Sequence, residues 1–362
     1  MNLINKLSRQ TANDLLISPK IENLSRDQLL DLIQGNPDIQ KRLPLKLGTI
    51  DPRSDERIIF NPSRAARPNS STIKPKNTIC PICNGNTTPI VDLSDLSTGF
   101  TFINTNLFPA VYPHPRQLNS RGDGIGYPAW GMHFLQWTSS HHDQDWHNME
   151  LADLSVVIKR LGALENYLID QFSKDLNQYS VSIIKNGGLG AGGSLAHGHH
   201  QIIFSNQYPR RMIENLRFEK EHGQRFSEYI LKENPSELVI RDFGEGILLI
   251  PHFMRRPFNM MLVMKNTSMQ YLYQLSPPEI TSLCKGWKAA VQIINQVMTQ
   301  INLEISYNIL THNGPGAGLY FEFLPRTQTE GGFEQLGYSI CQSSPKTAVD
   351  IIQELDIGIL DN

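Results

Sequence analysis

Asn186-Gly-Gly-Leu-Gly-Ala-Gly192-Gly-Ser194-Leu-Ala-His197-Gly-His199-His-Gln201 is the stretch on which the reading of this sequence turns. Apolar runs from Tyr179 to Ile184 and from Ala196 to Phe204 predict strands on either side of a glycine-dense turn. In an extended strand successive side chains alternate faces, so His197, His199 and Gln201 are expected on one side and His200 on the other. A neutral imidazole presented in this way can attack phosphorus and form a phosphoramidate, while Gln201 can hydrogen-bond the phosphoryl oxygens. Gly187, Gly188, Gly190, Gly192 and Gly193, followed by Ser194, let backbone amides approach a phosphate closely. The same three histidines also fit a surface cluster or a metal site without catalysis.

Working outward, Leu151, Leu154, Val157, Ile158, Leu161, Leu164 and Leu168 recur at helical spacing and predict a long helix over Glu150 to Phe172 with one buried face. The order helix, strand, glycine turn, strand then returns. Ser276-Pro-Pro-Glu279 is a capping box with proline at the first helical position, opening a helix through Ile280, Leu283, Trp287, Ile293, Ile294 and Val297. A strand over Ile305 to Leu310 follows. Asn186 aligns with Asn313 and the two glycine turns fall in register, which reads as an internal duplication, the alternative being a chance match of two turns. The second copy continues into Leu319-Tyr-Phe-Glu-Phe323 and has no histidine triad, so it is expected to be catalytically silent.

The 362 residues are 40% hydrophobic and 19% charged, which suits one large or two modest domains. Lysine and arginine number 33 against 35 acids, so no broad basic field exists to hold nucleic acid, and no nucleic-acid partner is expected. Apolar runs fall far short of the roughly 20 residues of a spanning helix, and the N-terminus lacks a secretory pattern, so neither a membrane partner nor export is expected. The expected location is the cytoplasm. Residues 1 to 46 read as an appendage in which Ser25-Arg-Asp-Gln28 caps a short helix through Leu29, Leu30, Leu32 and Ile33, ended by Gly35-Asn-Pro37. Four cysteines cannot form a disulfide framework. Cys80 and Cys83 have metal-type spacing, with two free loop thiols as the alternative, while Cys284 and Cys341 read as buried thiols.

The stretch from Asn186 to Gln201 resembles the active-site segment of the galactose-1-phosphate uridylyltransferase family within the histidine-triad superfamily. That resemblance makes His199 the nucleophile that becomes nucleotidylated and Gln201 the residue that stabilises the transferring group. Asn186, Gly192 and Ser194 match positions at the phosphates. Asp51-Pro52 with Ile59-Phe-Asn-Pro62-Ser-Arg64-Ala-Ala-Arg67-Pro68 is similar to the family's early motif, and makes Arg64 and Arg67 ligands of the nucleotide. Two guanidiniums suit a diphosphate because their hydrogen bonds to it are charge-assisted and often bidentate. Asn104-Thr-Asn106-Leu-Phe108-Pro-Ala110 resembles the strand end beside the nucleoside, with Asn106 as the contact. A structural Zn2+ is implied at Cys80, Cys83, His142 and His197, although His141 and His147 also stand near enough to supply the third ligand.

The implied fold is α+β, with two histidine-triad-like repeats, each an antiparallel sheet with packed helices. The expected divisions are 1–46, an extension; 47–245, the catalytic half with zinc; and 246–362, a degenerate half. The implied activity moves a nucleoside monophosphate from a nucleotide sugar to a sugar 1-phosphate or phosphate, in a homodimer. The tail Glu330-Gly-Gly332-Phe333-Glu334-Gln-Leu-Gly337-Tyr338-Ser339 is more similar to the ADP-glucose phosphorylase branch. Galactose-specific enzymes carry a glutamate where this chain has Ser339, and a serine cannot offer a carboxylate's acceptors to a sugar diol. Tyr320 and Glu322 stand where relatives carry histidines for a second metal, so no second metal is expected. A phosphorylase or hydrolase of nucleoside diphosphate sugars or dinucleoside polyphosphates, and a zinc-stabilised nucleotide-binding protein, are the competing readings.

Overall fold

The computed structural model describes residues 6–54, 56–66, 80–114, 127–176 and 178–358. The chain is α+β and divides into two compact units interleaved in sequence. The first comprises Met1–Gln144, Lys159–Ile183 and His197–Glu214; the second comprises Asp145–Ile158, Ile184–Ala196 and Asn215–Asn362.

In the first unit, strands Ile90–Asp95, Phe100–Thr105, Gly131–Trp137 and His199–Ser205 pair antiparallel in that order. Register places Phe102, Trp137 and His199 in one row and Asn104, Leu135 and Gln201 in the next. With a side-chain period of two, His199 and Gln201 share a face, whereas His200, Ile202 and Phe204 lie on the other. Trp130, Phe172 and Phe204 pack together on that second side, with ring centroids 6.0 to 6.3 Å apart. Gly131 is required by this packing, because a Cβ there would stand 2.2 Å from the Phe204 carbonyl oxygen.

The N-terminal segment is built into the first unit. Ser25 and Gln28 form the capping box of helix Arg26–Gln34, which buries Leu29 and Ile33. Ile21 is fully buried and its N–H donates to Asp92 at 2.9 Å. Arg160 binds both Asp92 and Glu22, and thereby ties the segment to the sheet.

In the second unit, strands Tyr307–His312, Tyr320–Pro325, Met260–Met264, Gly246–Leu249 and Val239–Asp242 pair antiparallel in that order. Helix Pro277–Gln300 begins with the Ser276 and Glu279 capping box and buries Leu283, Trp287, Ile293, Ile294 and Val297. Trp287 packs on Phe321 and stacks on Trp146, at 5.1 and 4.5 Å between centroids. Gly286 lets the helix approach the sheet, since a Cβ there would lie 2.5 Å from the Leu262 side chain.

The helix–strand–strand order occurs twice: Leu151–Phe172, Ser180–Gly187 and His199–Ser205, then Pro277–Gln300, Tyr307–His312 and Tyr320–Pro325. Three strand limits differ from expectation. The strand expected over Tyr179 to Ile184 runs on to Gly187, so Asn186 ends a strand instead of opening a turn. The strand expected from Ala196 starts at His199, which leaves His197 before it. The strand expected from Ile305 starts at Tyr307. Cys284 is fully buried, but Cys341 is partly exposed, in an exposed segment that has no core to enter. Among the described residues no helix is long and apolar enough to cross a membrane.

Candidate functional site

Four potential metal ligands converge in the first unit. Cys80 and Cys83 lie in the turn before strand Ile90–Asp95, His142 follows strand Gly131–Trp137, and His197 precedes strand His199–Ser205. Their ligand atoms all lie within 4.8 Å of one another. Cys80 Sγ stands 3.8 Å and Cys83 Sγ 3.6 Å from His197 Nδ1, and Cys83 Sγ stands 3.7 Å from His142 Nδ1. Tetrahedral zinc with ordinary bond lengths spaces sulfur and nitrogen ligands about 3.6 Å apart, so the cluster has the dimensions of such a site. Neither His141 nor His147 belongs to the cluster.

His197 is also oriented as a ligand. Its Nε2 lies 2.7 Å from the Ser139 carbonyl oxygen, an acceptor, so Nε2 carries the proton and Nδ1 keeps its lone pair for a cation. The thiols do not ionise alike. Burial opposes ionisation of Cys80, but its interactions with the neighbouring His142 and His197 rings outweigh it and hold this thiol well below its usual value. Burial, followed by the negative charge of Cys80, pushes Cys83 up. Two adjacent thiolates require a cation between them, which is the condition a bound divalent metal satisfies. The donor set and its spacing therefore fit Zn2+.

His199 is buried at the edge of this cluster. Its Nδ1 donates to the His197 carbonyl oxygen at 2.8 Å, so the neutral ring has its lone pair on Nε2. The ring lies against Trp137, with centroids 4.8 Å apart. Trp137 also meets His197 edge-on at 5.4 Å and donates from Nε1 to Asn104 Oδ1 at 2.9 Å. One indole thus touches both the metal-type histidine and the proposed nucleophile. Gln201 is buried on the same strand face, one register row further on. His200, on the opposite face, contacts Gln136 Oε1 at 3.1 Å, which gives it a place in the packing of the sheet.

Further along the same unit, Asn106 Oδ1 accepts the Phe108 N–H at 2.8 Å, and Arg64 donates to the Phe108 carbonyl at 2.6 Å. Asn106 and Arg64 therefore hold one short segment between them. Arg67 lies outside the described residues. Asn186, Gly192 and Ser194 belong to the second unit. Gly188 and Gly192 have φ of +77° and +81°, a conformation in which a side chain is strained. Gly187 lies on the ring of Tyr307, where a Cβ would come within 2.5 Å. On strands Tyr307–His312 and Tyr320–Pro325, His312 pairs with Glu322 at 2.8 Å and stacks on Tyr320, whose hydroxyl donates to Asn215.

Trp137, Asn104 and the Ser139 carbonyl are site features that the sequence reading did not single out. Alternation along Gly131–Trp137 marks Trp137 as a same-face partner of His199 once the register is known, but register is a non-local property.

No family model matches the chain. ADP-glucose phosphorylase of Arabidopsis thaliana is 22% identical over 339 residues, a match that covers 85% of this chain and 92% of that protein. The solved structure of a uridylyltransferase superposes with a TM-score of 0.67 at 17% identity, covering 85% of this chain and 97% of that one. That of Arabidopsis thaliana ADP-glucose phosphorylase with bound ADP-glucose superposes with a TM-score of 0.64 at 20% identity, covering 87% of this chain and all of that one, at 100%. This chain accordingly has the α+β fold found in uridylyltransferase and in ADP-glucose phosphorylase.

Proposed function

We propose that the chain is a nucleotidyltransferase acting on nucleoside diphosphate hexoses through a covalent intermediate on His199. The observation that carries this reading is the tautomer of His199: the His197 carbonyl takes the Nδ1 proton and puts the lone pair on Nε2. In the first step Nε2 attacks the α-phosphorus. A P–N bond forms, the P–O bond to the β-phosphate breaks, and the sugar 1-phosphate leaves with the electron pair. In the second step a phosphate oxygen of the acceptor attacks the same phosphorus and the P–N electrons return to Nε2. The Nδ1–H bond to His197 holds the ring and shares the positive charge that develops on it. Gln201 donates to the phosphoryl oxygens as negative charge shifts onto them.

Arg64 and Arg67 are assigned to the nucleotide, Asn106 to the nucleoside, and Asn186, Gly192 and Ser194 to the phosphates. Cys80, Cys83, His142 and His197 would hold Zn2+. Its contribution when bound is structural, closing the loop whose His197 carbonyl orients His199. The ADP-glucose phosphorylase relative and Ser339, where galactose-specific enzymes carry a glutamate, favour phosphate over hexose 1-phosphate as the acceptor. We place the protein in the cytoplasm as a homodimer. The exposed apolar side chains of Phe333, Leu336, Tyr338 and Ile340 support self-association.

Isotope exchange in the half-reaction tests the two-step chemistry. Labelled glucose 1-phosphate should enter ADP-glucose or UDP-glucose with no second acceptor present, because the first half-reaction is reversible by itself. Exchange that appears only when a second acceptor is added refutes the covalent route. Nucleoside monophosphate released by water alone indicates a hydrolase.

A further inference from the structure

Asn308, on strand Tyr307–His312 of the second repeat, has every hydrogen-bonding position of its amide assigned. Its Oδ1 accepts from Arg326 Nε at 3.0 Å and from Arg326 Nη2 at 2.6 Å. Its Nδ2 donates to Asn186 Oδ1 at 2.7 Å and to the Ala191 carbonyl at 2.9 Å. The polarity of this chain is fixed by chemistry. Arginine only donates, so the Asn308 atom facing it is oxygen; the other end is then NH2, and the Asn186 atom facing that end is oxygen as well. Asn186 is half-buried, and among the described residues its Nδ2 has no hydrogen-bond partner. An amide pinned by its oxygen offers a ligand only donors, which is what a phosphoryl oxygen accepts.

We infer that Arg326, acting through Asn308, is a positioning residue that fixes the polarity of the Asn186 amide, so that the degenerate repeat sets the phosphate selectivity of the glycine turn. The second proton of Asn308 Nδ2 holds the Ala191 carbonyl beside Gly192, so the same relay anchors both ends of the turn. The inference rests on the reading of Asn186 as a phosphate contact. It concerns binding, whereas the covalent step belongs to His199.

The test measures ADP and UDP dissociation constants by calorimetry on a His199→Ala parent, in which no transfer can consume the ligand. Asn308→Asp keeps the shape and the Arg326 contact but turns the inner NH2 into an acceptor. Asn186 then donates inward and presents its oxygen to the phosphate, and affinity for both nucleotides should fall about tenfold or more. Adding Asn308→Asp to Asn186→Ala should weaken binding far less than in the parent, because the amide being oriented is gone and only the Ala191 contact is left to lose. An effect of the aspartate charge alone would persist at full size in that background, and a loss as large as in the parent overturns the inference. Unchanged affinity in Asn308→Asp overturns it too. Should Asn308→Asp fail to fold, Arg326→Met frees the Asn308 amide to rotate and should cost affinity in the parent but not beside Asn186→Ala. Failure of the His199 reading appears separately, as binding of ADP-glucose and UDP-glucose by the unsubstituted chain without covalent transfer.

Discussion

Removing either partner of the Lys185–Asp145 ion pair should have very different consequences. The two lie in the second unit with Nζ and Oδ2 2.7 Å apart, and Lys185 immediately precedes Asn186. The side chain of Lys185 is 1% exposed and that of Asp145 is 19% exposed. In Asp145→Asn the ammonium stays buried without its counter-charge, which costs about 3–5 kcal/mol. In Lys185→Met a hydrophobic side chain of similar length fills the space. The remaining carboxylate still accepts the Trp146 N–H at 2.8 Å and can reach water, so the cost stays at or below about 2 kcal/mol. The double variant should resemble Lys185→Met, giving a favourable coupling of about 3–5 kcal/mol between substitutions. Urea unfolding of the four chains measures these differences, with unchanged slopes showing that the same surface unfolds. Equal costs for the two single variants, or additivity in the double, would refute the argument that burial of the lysine sets the energy.

Other outcomes follow from the same geometry. Arg160→Leu leaves the buried Asp92 carboxylate without its cation and should destabilise the chain by about 3–5 kcal/mol in the same urea assay. Burial opposes ionisation of Glu22, but the Arg160 hydrogen bond outweighs it and lowers its pKa. The pair's stability is therefore present above the ordinary glutamate value of about 4.3 and is lost as pH falls through the lowered one, a loss that Glu22→Gln should abolish in acid-unfolding curves. Trp137→Phe removes the donor to buried Asn104 Oδ1 and should cost about 1–3 kcal/mol in thermal or urea unfolding. Metal analysis of the purified chain should find one zinc per subunit, lost in Cys83→Ala; a full zinc content in that variant would remove Cys83 from the ligand set.

Features that depend on neighbours in sequence were legible before the structure. The capping boxes at Ser25 and Ser276, the long amphipathic helix, and the Cys80/Cys83 pair each carry their signal within a few residues. Features set by partners distant in sequence were not. His197 leaves the strand because its ring answers to Cys80, Cys83 and the Ser139 carbonyl, and local alternation contains none of these. Strand Ser180–Gly187 extends to Gly187, where the glycine lies on Tyr307, more than a hundred residues away. The resemblance pointed to His142, but setting His141 and His147 aside required the positions of the two thiols. Trp137 carries no local mark of the site, because only register puts it beside His199.

The most direct measurement of the central claim is the intact mass of the chain after incubation with ADP-glucose or UDP-glucose and denaturation at neutral or alkaline pH, where a phosphoramidate survives. The account predicts an increase of one nucleoside monophosphate, mapped to His199, discharged by phosphate or a hexose 1-phosphate, and missing in His199→Ala. An adduct that persists in His199→Ala, or turnover of these sugars by that variant at the wild-type rate, would contradict it.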